Sequence, residues 1–331
     1  MGPPIGKGKM KLERLVVLDG WRAVSIIFVL SGHLLPIGLN AWNLNGAVAG
    51  CGMAIFFTLS GFLITTLLLT NPNVLQFLTR RLFRILPLAW VAMLILIVAN
   101  RSDPVVAIAN LLFLANLPPN RLMDGGTLLW SLCVEIQFYI GVSVLTAIAG
   151  RKGLYVLPLL ALTVTGLRVN TSAPYSIVTW FRLDEILVGA TLALLYHHRR
   201  SYNIPTKTLL VFAPLALLTS HPEAGNLLYL RPYVVGLMVG ATIYAAPDML
   251  IRLSKGRLVV WVANISFGLY IVHGMLVETW LGEGDTLERY AKRPVLIGAT
   301  FLIAHLSRKH YELPMQMFGR RLAQNREPSV T

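Results

Sequence analysis

Charge is what this chain has least of. Only 13% of its 331 residues are Asp, Glu, Lys or Arg, and only 15 are acidic. Soluble domains average about 25% charged residues. That deficit, with 55% hydrophobic residues and a mean hydropathy of +0.65, excludes a soluble domain and points to a polytopic membrane protein. Cysteine is nearly absent. Cys51 and Cys133 both lie in apolar runs without metal-ligand spacing, which excludes a disulfide scaffold and a Cys-based metal centre, and no metal site of any kind is expected. No segment repeats with a period of about 20–50 residues, and no low-complexity linker divides the chain, so 1–331 reads as a single domain. The shortage of acid leaves a net charge of +14. In a soluble protein that would suggest nucleic acid. In a chain this apolar it reflects Lys and Arg in cytoplasmic loops, and no nucleic-acid partner is expected. The basic start, 1–14, runs into an apolar segment without a small-residue cleavage site, so no cleavable signal peptide is expected.

What the chain has is apolar runs near the ~20 residues that cross a bilayer. They predict an all-α membrane bundle of about ten transmembrane helices: 15–35, 47–70, 85–100, 127–149, 153–168, 177–196, 208–220, 227–246, 258–281 and 294–312. An eleventh run, 104–117, is short and ends in Asn116 and Pro118-Pro119. If it is a re-entrant or interfacial piece, the basic clusters fall on one side. These are Lys7, Lys9, Lys11 and Arg14; Arg80, Arg81 and Arg84; Arg151 and Lys152; Arg199, Arg200 and Lys207; Arg252, Lys255 and Arg257; and Arg308, Lys309, Arg320, Arg321 and Arg326. Both termini, including a tail from 313 to 331, are then expected in the cytoplasm.

The organising stretch is 18–34, LDGWRAVSIIFVLSGHL. Ionisable groups inside a membrane helix are costly and face a protein interior or a water-filled cavity. Arg22 and His33 are eleven residues apart, about three turns and roughly 16 Å, so they share a face, with Asp19 nearby. In QFLTRRLFRILPL (76–88), Arg81 and Arg84 share a helix face. They are either positive-inside anchors or an anion clamp, since guanidinium offers phosphate a planar two-pronged fork. Glu135, in TLLWSLCVEIQFY (127–139), is the acid most clearly inside an apolar run. A carboxylate there needs a partner, and depth makes His33 a candidate. Arg182, Asp184 and Glu185 stand at a helix mouth, where they either charge the helix end or line an opening for a polar acceptor. His273 reads first as a packing histidine and second as a further acceptor-side candidate. Ser60-Gly61 reads as a close helix approach, and His197 and His198 carry no expected chemistry.

These segments, in this order, resemble the acyltransferase 3 family of integral membrane acyltransferases. The carriers are LDGWRAVSIIFVLSGHL, FFTLSGFLIT (56–65), RRLFRILPLAW (80–90), LWSLCVEIQFY (129–139), FRLDEILVGA (181–190), ISFGLYIVH (265–273) and YELP (311–314). The resemblance implies about ten membrane helices with cytoplasmic termini in a bacterial cytoplasmic (inner) membrane. It implies transfer of an acyl group, most often acetyl, from acyl-CoA to a hydroxyl of a glycan or other small acceptor, as in O-acetylation of surface polysaccharide. Acyl-CoA is then a substrate, and no permanently bound cofactor is expected. His33 matches the essential family histidine, Arg22 the arginine of the same helix, Arg81 and Arg84 the pair associated with the donor, and Glu135 the first acid of its motif. Ile136 departs from the pattern, which commonly has a second Glu there. The hydrolase-like domain fused to some members is not in this sequence, so the reaction is expected to finish in the membrane domain or pass to a separate protein.

Acyl transfer to an alcohol needs a base, and imidazole suits it, with an unperturbed pKa of about 6.5. The expectation is that His33 deprotonates the acceptor hydroxyl while Glu135 orients it. Arg81 and Arg84 hold CoA phosphates, and the pantetheine arm follows the Asp19–Arg22–His33 stripe. Direct attack and a transient acyl-histidine are both open. The reading from another class is a transporter or flippase for a polar or lipid-linked substrate, because intramembrane charges also line transport paths. The lack of an internal repeat weighs against it. The retained His33, Arg22, Arg81, Arg84 and Glu135 weigh against an inert scaffold of the same fold.

Overall fold

In a computed structural model, which describes residues 16–198, 205, 207–244 and 246–324, the apolar runs fold as helices. The basic positions Lys7, Lys9, Lys11, Arg14, Arg199, Arg200 and Arg326 lie outside the described residues. There are thirteen α-helices among the described residues: α1 (Val16–Leu34), α2 (Leu44–Thr70), α3 (Val74–Ala99), α4 (Pro104–Leu111), α5 (Trp130–Gly153), α6 (Leu157–Asn170), α7 (Asp184–His198), α8 (Thr208–Leu218), α9 (Arg231–Tyr244), α10 (Asp248–Ser254), α11 (Arg257–Val277), α12 (Thr286–Ser307) and α13 (Leu313–Gln324). No described residue is in a β-strand.

Among the described residues, six helical segments are long and apolar enough to cross a membrane: 16–34, 44–70, 74–99, 127–170, 225–244 and 257–277. This is fewer than the ten expected, for identifiable reasons. The segment 127–170 is 44 residues long, which joins two expected spans. Gly150, at φ 58° and ψ −153°, breaks it into two legs with a backbone turn that glycine tolerates without steric cost. The expected 177–196 span becomes the 15-residue α7, because the chain before Asp184 holds other structure. α8 has only 11 residues, and the first turns of α12 carry Glu288, Arg289, Lys292 and Arg293. α4 has eight residues, about 12 Å at 1.5 Å per residue, too short to span. Asp103 caps it, accepting from the amide of Val105 at 2.8 Å.

α2 is the most buried of the six segments and packs against α1, α3, α5, α7, α8 and α9. Its crossing with α7 is set by two glycines. A Cβ on Gly61 would collide with the carbonyl of Ile186, and one on Gly189 with the carbonyl of Thr58. The helices touch backbone to backbone, the close approach that small residues allow in membrane bundles. Gly141 of α5 is different, with no heavy atom within 4 Å of the same position. Gly61→Ala is therefore expected to lower the melting temperature of the detergent-solubilised protein, since it forces α2 and α7 apart. Gly141→Ala leaves it unchanged or raises it slightly. Equal melting of the two variants would contradict the assigned crossing.

The chain reverses through the bundle so that the start of α1, the end of α2 and the start of α3 lie together. We call this the arginine end, after Arg80, Arg81 and Arg84. The end of α1, the start of α5 and the end of α11 meet at the opposite, histidine end. α12 passes through a single π-helical turn, Arg308–Glu312, into α13, which packs along α3. A Cβ on Gly319 of α13 would lie 2.4 Å from the Phe83 Cβ. The buried Glu312, from the YELP segment, takes Ser307 Oγ at 3.5 Å and faces Arg308 at 3.6 Å. Tyr311 Oη donates to the Pro87 carbonyl at 3.4 Å.

Candidate active site

At the arginine end a cleft is lined by Asn71, Asn73, Gln76, Arg80, Arg81 and Arg84 from the α2–α3 corner, and by Gln316 and Arg320 of α13. Asn73 shapes the corner. It caps α3, accepting from the amide of Gln76 at 2.9 Å. The periodicity that puts Arg81 and Arg84 on one face points both into this cleft. Neither forms a hydrogen bond or ion pair to a described residue. The positive field there is open to an anion.

The same two arginines line a second cavity, inside the bundle. Arg22 and Ser25 of α1, Phe56 and Ser60 of α2, Glu135 and Tyr139 of α5, and Tyr270 of α11 line it with a majority of apolar neighbours. A polar mouth thus continues into an apolar chamber through shared residues. Arg22 is held by Asp19, three residues earlier, at 3.5 Å. Ser25 is tied to α2 by donating to the Gly52 carbonyl at 2.8 Å. Glu135 is 5% exposed, and its Oε1 accepts from Ser60 Oγ at 2.6 Å and from Tyr139 Oη. Its partners are therefore hydroxyls. The expected partnership of Glu135 with His33 does not form.

His33 occupies the last turn of α1 at the histidine end, where it is exposed. Asn45 of α2 fixes that turn by donating to the carbonyls of Gly32 at 2.8 Å and Leu35 at 2.7 Å. The partner of His33 is His273: Nδ1 of His33 lies 3.1 Å from Nε2 of His273, and the ring centroids are 5.3 Å apart. His273 is fully buried. Neither histidine lines the inner cavity. Tyr270, which does, lies one turn before His273 with its ring centroid 5.8 Å away. Tyr270 Oη is pinned between the Leu128 carbonyl at 2.6 Å and Ser131 Oγ at 2.8 Å. Tyr270 thus borders both the inner cavity and the histidine pair.

Arg182, Asp184 and Glu185 line neither cavity. All three are buried in an ion network that sequence spacing could not show, because its partners come from distant helices. Asp184 pairs with Arg168 of α6, and Glu185 with Arg231 of α9 at 2.7 Å and Arg182 at 3.2 Å. The Arg182 guanidinium also lies 5.3 Å from the Trp130 ring centroid and 5.8 Å from that of Phe57. Burial with paired charge fits the cost of leaving any one alone in an apolar interior. These pairs tie α6, α7 and α9 together. Gln137 acts similarly. It donates to the Phe113 carbonyl at 2.7 Å and accepts from Thr179 Oγ1 at 2.6 Å, locking α5 to the segments on either side. Ile136, where the family pattern has a second acid, is buried in the apolar core.

Several residues here were not singled out by the sequence reading. Ser60 was read only as a small residue, although a hydroxyl at the depth of Glu135 was a usable signal. Tyr139 lies four residues after Glu135, on the same helix face. Tyr270, Gln316 and Arg320 gave no local signal.

A family model described as an acyltransferase domain matches residues 15–306. Peptidoglycan O-acetyltransferase OatA of Listeria monocytogenes is 26% identical over 366 residues, covering 91% of this chain and 56% of that protein. YrhL of Bacillus subtilis, by its name a proposed peptidoglycan O-acetyltransferase, is 26% identical over 91% of this chain and 55% of its own length. SACOL0978 of Staphylococcus aureus, by its name a proposed O-acetyltransferase, is 25% identical over 93% of this chain and 58% of its own length. The chain thus spans somewhat more than half the length of these relatives. No solved structure matches. Because the matched family model covers most of the chain, from α1 into α12, the chain belongs to the acyltransferase 3 family of membrane proteins.

Proposed function

We propose that this protein is an integral membrane O-acyltransferase. It moves an acyl group, acetyl in the simplest case, from cytoplasmic acyl-CoA to a hydroxyl of a cell-wall or surface glycan. The observation that carries this reading is that Arg81 and Arg84 line both the polar cleft and the apolar chamber behind it. A ligand with phosphates at one end and a long, weakly polar arm at the other matches that sequence of environments. The phosphates of CoA bind Arg81, Arg84 and the neighbouring Arg80 and Arg320. Arg22, whose charge Asp19 steadies, meets the head of the arm. Glu135, held by Ser60 and Tyr139, accepts from an amide N–H of the pantetheine. The thioester passes Tyr270 to reach His33.

At the histidine end, His33 takes the proton from the acceptor hydroxyl. The oxygen bonds to the acyl carbon, the carbon–sulfur bond breaks, and the thiolate receives the proton from the imidazolium. We place the arginine end in the cytoplasm of a bacterial inner membrane, where acyl-CoA is made, and the histidine end on the side that faces the glycan. The names of the relatives favour peptidoglycan as the acceptor.

The test is to incubate the purified protein in lipid nanodiscs with radiolabelled acetyl-CoA and soluble peptidoglycan fragments. An acetyl ester on the fragments, dependent on both substrates, is the expected result. Movement of unmodified glycan across proteoliposomes, with no ester formed, would overturn the reading in favour of transport.

A further inference from the structure

The hydrogen bonds around the two histidines determine which nitrogen of His33 carries a proton. The order begins at a group with no ambiguity. The carbonyl oxygen of Leu269 lies 3.0 Å from Nδ1 of His273, one turn later in α11. A carbonyl only accepts, so His273 holds a proton on Nδ1. His273 is 0% exposed, and no carboxylate of a described residue bonds to either ring. An imidazolium there would be a buried charge without a counter-charge, so the ring is neutral and its Nε2 is a lone pair. That lone pair faces Nδ1 of His33 at 3.1 Å. Two facing lone pairs at that distance would repel, so His33 donates from Nδ1. A neutral imidazole protonated at Nδ1 is unprotonated at Nε2.

The ring geometry agrees. The planes are 14° from parallel, with centroids 5.3 Å apart and facing nitrogens at 3.1 Å. The rings therefore lie side by side, the arrangement in which an in-plane N–H points at an in-plane lone pair. The anchor is rigid because Leu269 is buried within α11 and Asn45 holds the turn that carries His33.

We propose that His273 is a positioning residue that, through the Leu269 carbonyl, holds His33 in its Nδ1–H tautomer and so presents Nε2 as the proton acceptor. The proposal rests on the reading of His33 as the base. During transfer the hydroxyl proton moves to Nε2, and the Nδ1–H bond to His273 is kept throughout. No proton is passed on to His273, which stays neutral and steadies the imidazolium by accepting from it. The proton on Nε2 then goes to the departing thiolate, restoring the starting tautomer.

The test uses the full-length protein with its histidines labelled in the ring nitrogens, the His33 signals being assigned by their loss in His33→Gln. In the wild type, His33 is expected to show Nδ1 protonated and Nε2 free. In His273→Met, which fills the site without a strong acceptor, the signal should move toward the Nε2–H form. The same variant should lose about 100-fold in kcat, the low end of what a positioned base contributes, with an unchanged KM for acetyl-CoA. His273→Gln, which restores an acceptor, should recover most of that loss. A wild-type His33 protonated at Nε2 overturns the proposal, and this reading stands even if His273→Met does not fold. If His33→Gln abolishes transfer while His273→Met turns over like the wild type, the positioning role alone fails. If His33→Gln itself turns over normally, the assignment of the base fails first.

Discussion

Replacing His33 by alanine is expected to lower acyl transfer by about 10²–10⁴-fold, the usual contribution of a positioned acid–base group. The fold should survive. His33 is exposed in the last turn of α1, and the backbone there is held by Asn45. The substitution removes the acceptor of the hydroxyl proton and leaves His273 with a free Nε2. Because His33 lines neither the arginine cleft nor the inner cavity, donor binding should be unchanged. Turnover of the purified variant, with its melting temperature and acetyl-CoA affinity, separates these effects. Near-wild-type turnover in a folded variant would remove His33 from the mechanism.

The second large effect is expected at the opposite end. The double variant Arg81→Ala/Arg84→Ala removes two guanidinium groups that face the cleft without a described partner. Hydrogen bonds to charged groups contribute about 1.5–3 kcal/mol each. Losing two corresponds to roughly 10²–10⁴-fold weaker binding of acetyl-CoA. Since these arginines bind no described side chain, the unliganded melting temperature should stay close to wild type. A thermal-shift titration reads both quantities at once. Acetyl-CoA that stabilises the double variant as well as the wild type would move the donor elsewhere. A wild type indifferent to acetyl-CoA would call for a different donor.

Much of this was legible in the chain because helical periodicity is local. The 18–34 stretch became α1, 47–70 became α2, and the spacing of Arg81 and Arg84 placed both in one cleft. What periodicity lacks is azimuth between helices. His33 and Glu135 were expected as partners from depth, yet α11 supplies His273 to one and α2 and α5 supply hydroxyls to the other. The buried network of Arg168, Asp184, Glu185 and Arg231 was illegible for the same reason, its members being up to 63 positions apart in sequence. Arg320 reaches the cleft because the π-helical turn at Arg308–Glu312 carries the chain on into α13, which packs along α3.

The backbone contact between Gly61 and Ile186 also bears on how the protein moves. Two helices that meet without intervening side chains can rotate about their contact, but sliding would drive one backbone into the other. Ser60, which holds Glu135, is the residue next to that contact, so it is expected to move least if the bundle flexes. α3, the least buried of the six long segments, is free of such a pin and carries Arg81 and Arg84. If the bundle breathes, the arginine mouth is therefore expected to change shape more than the floor of the chamber: a stiff mould with a compliant entrance.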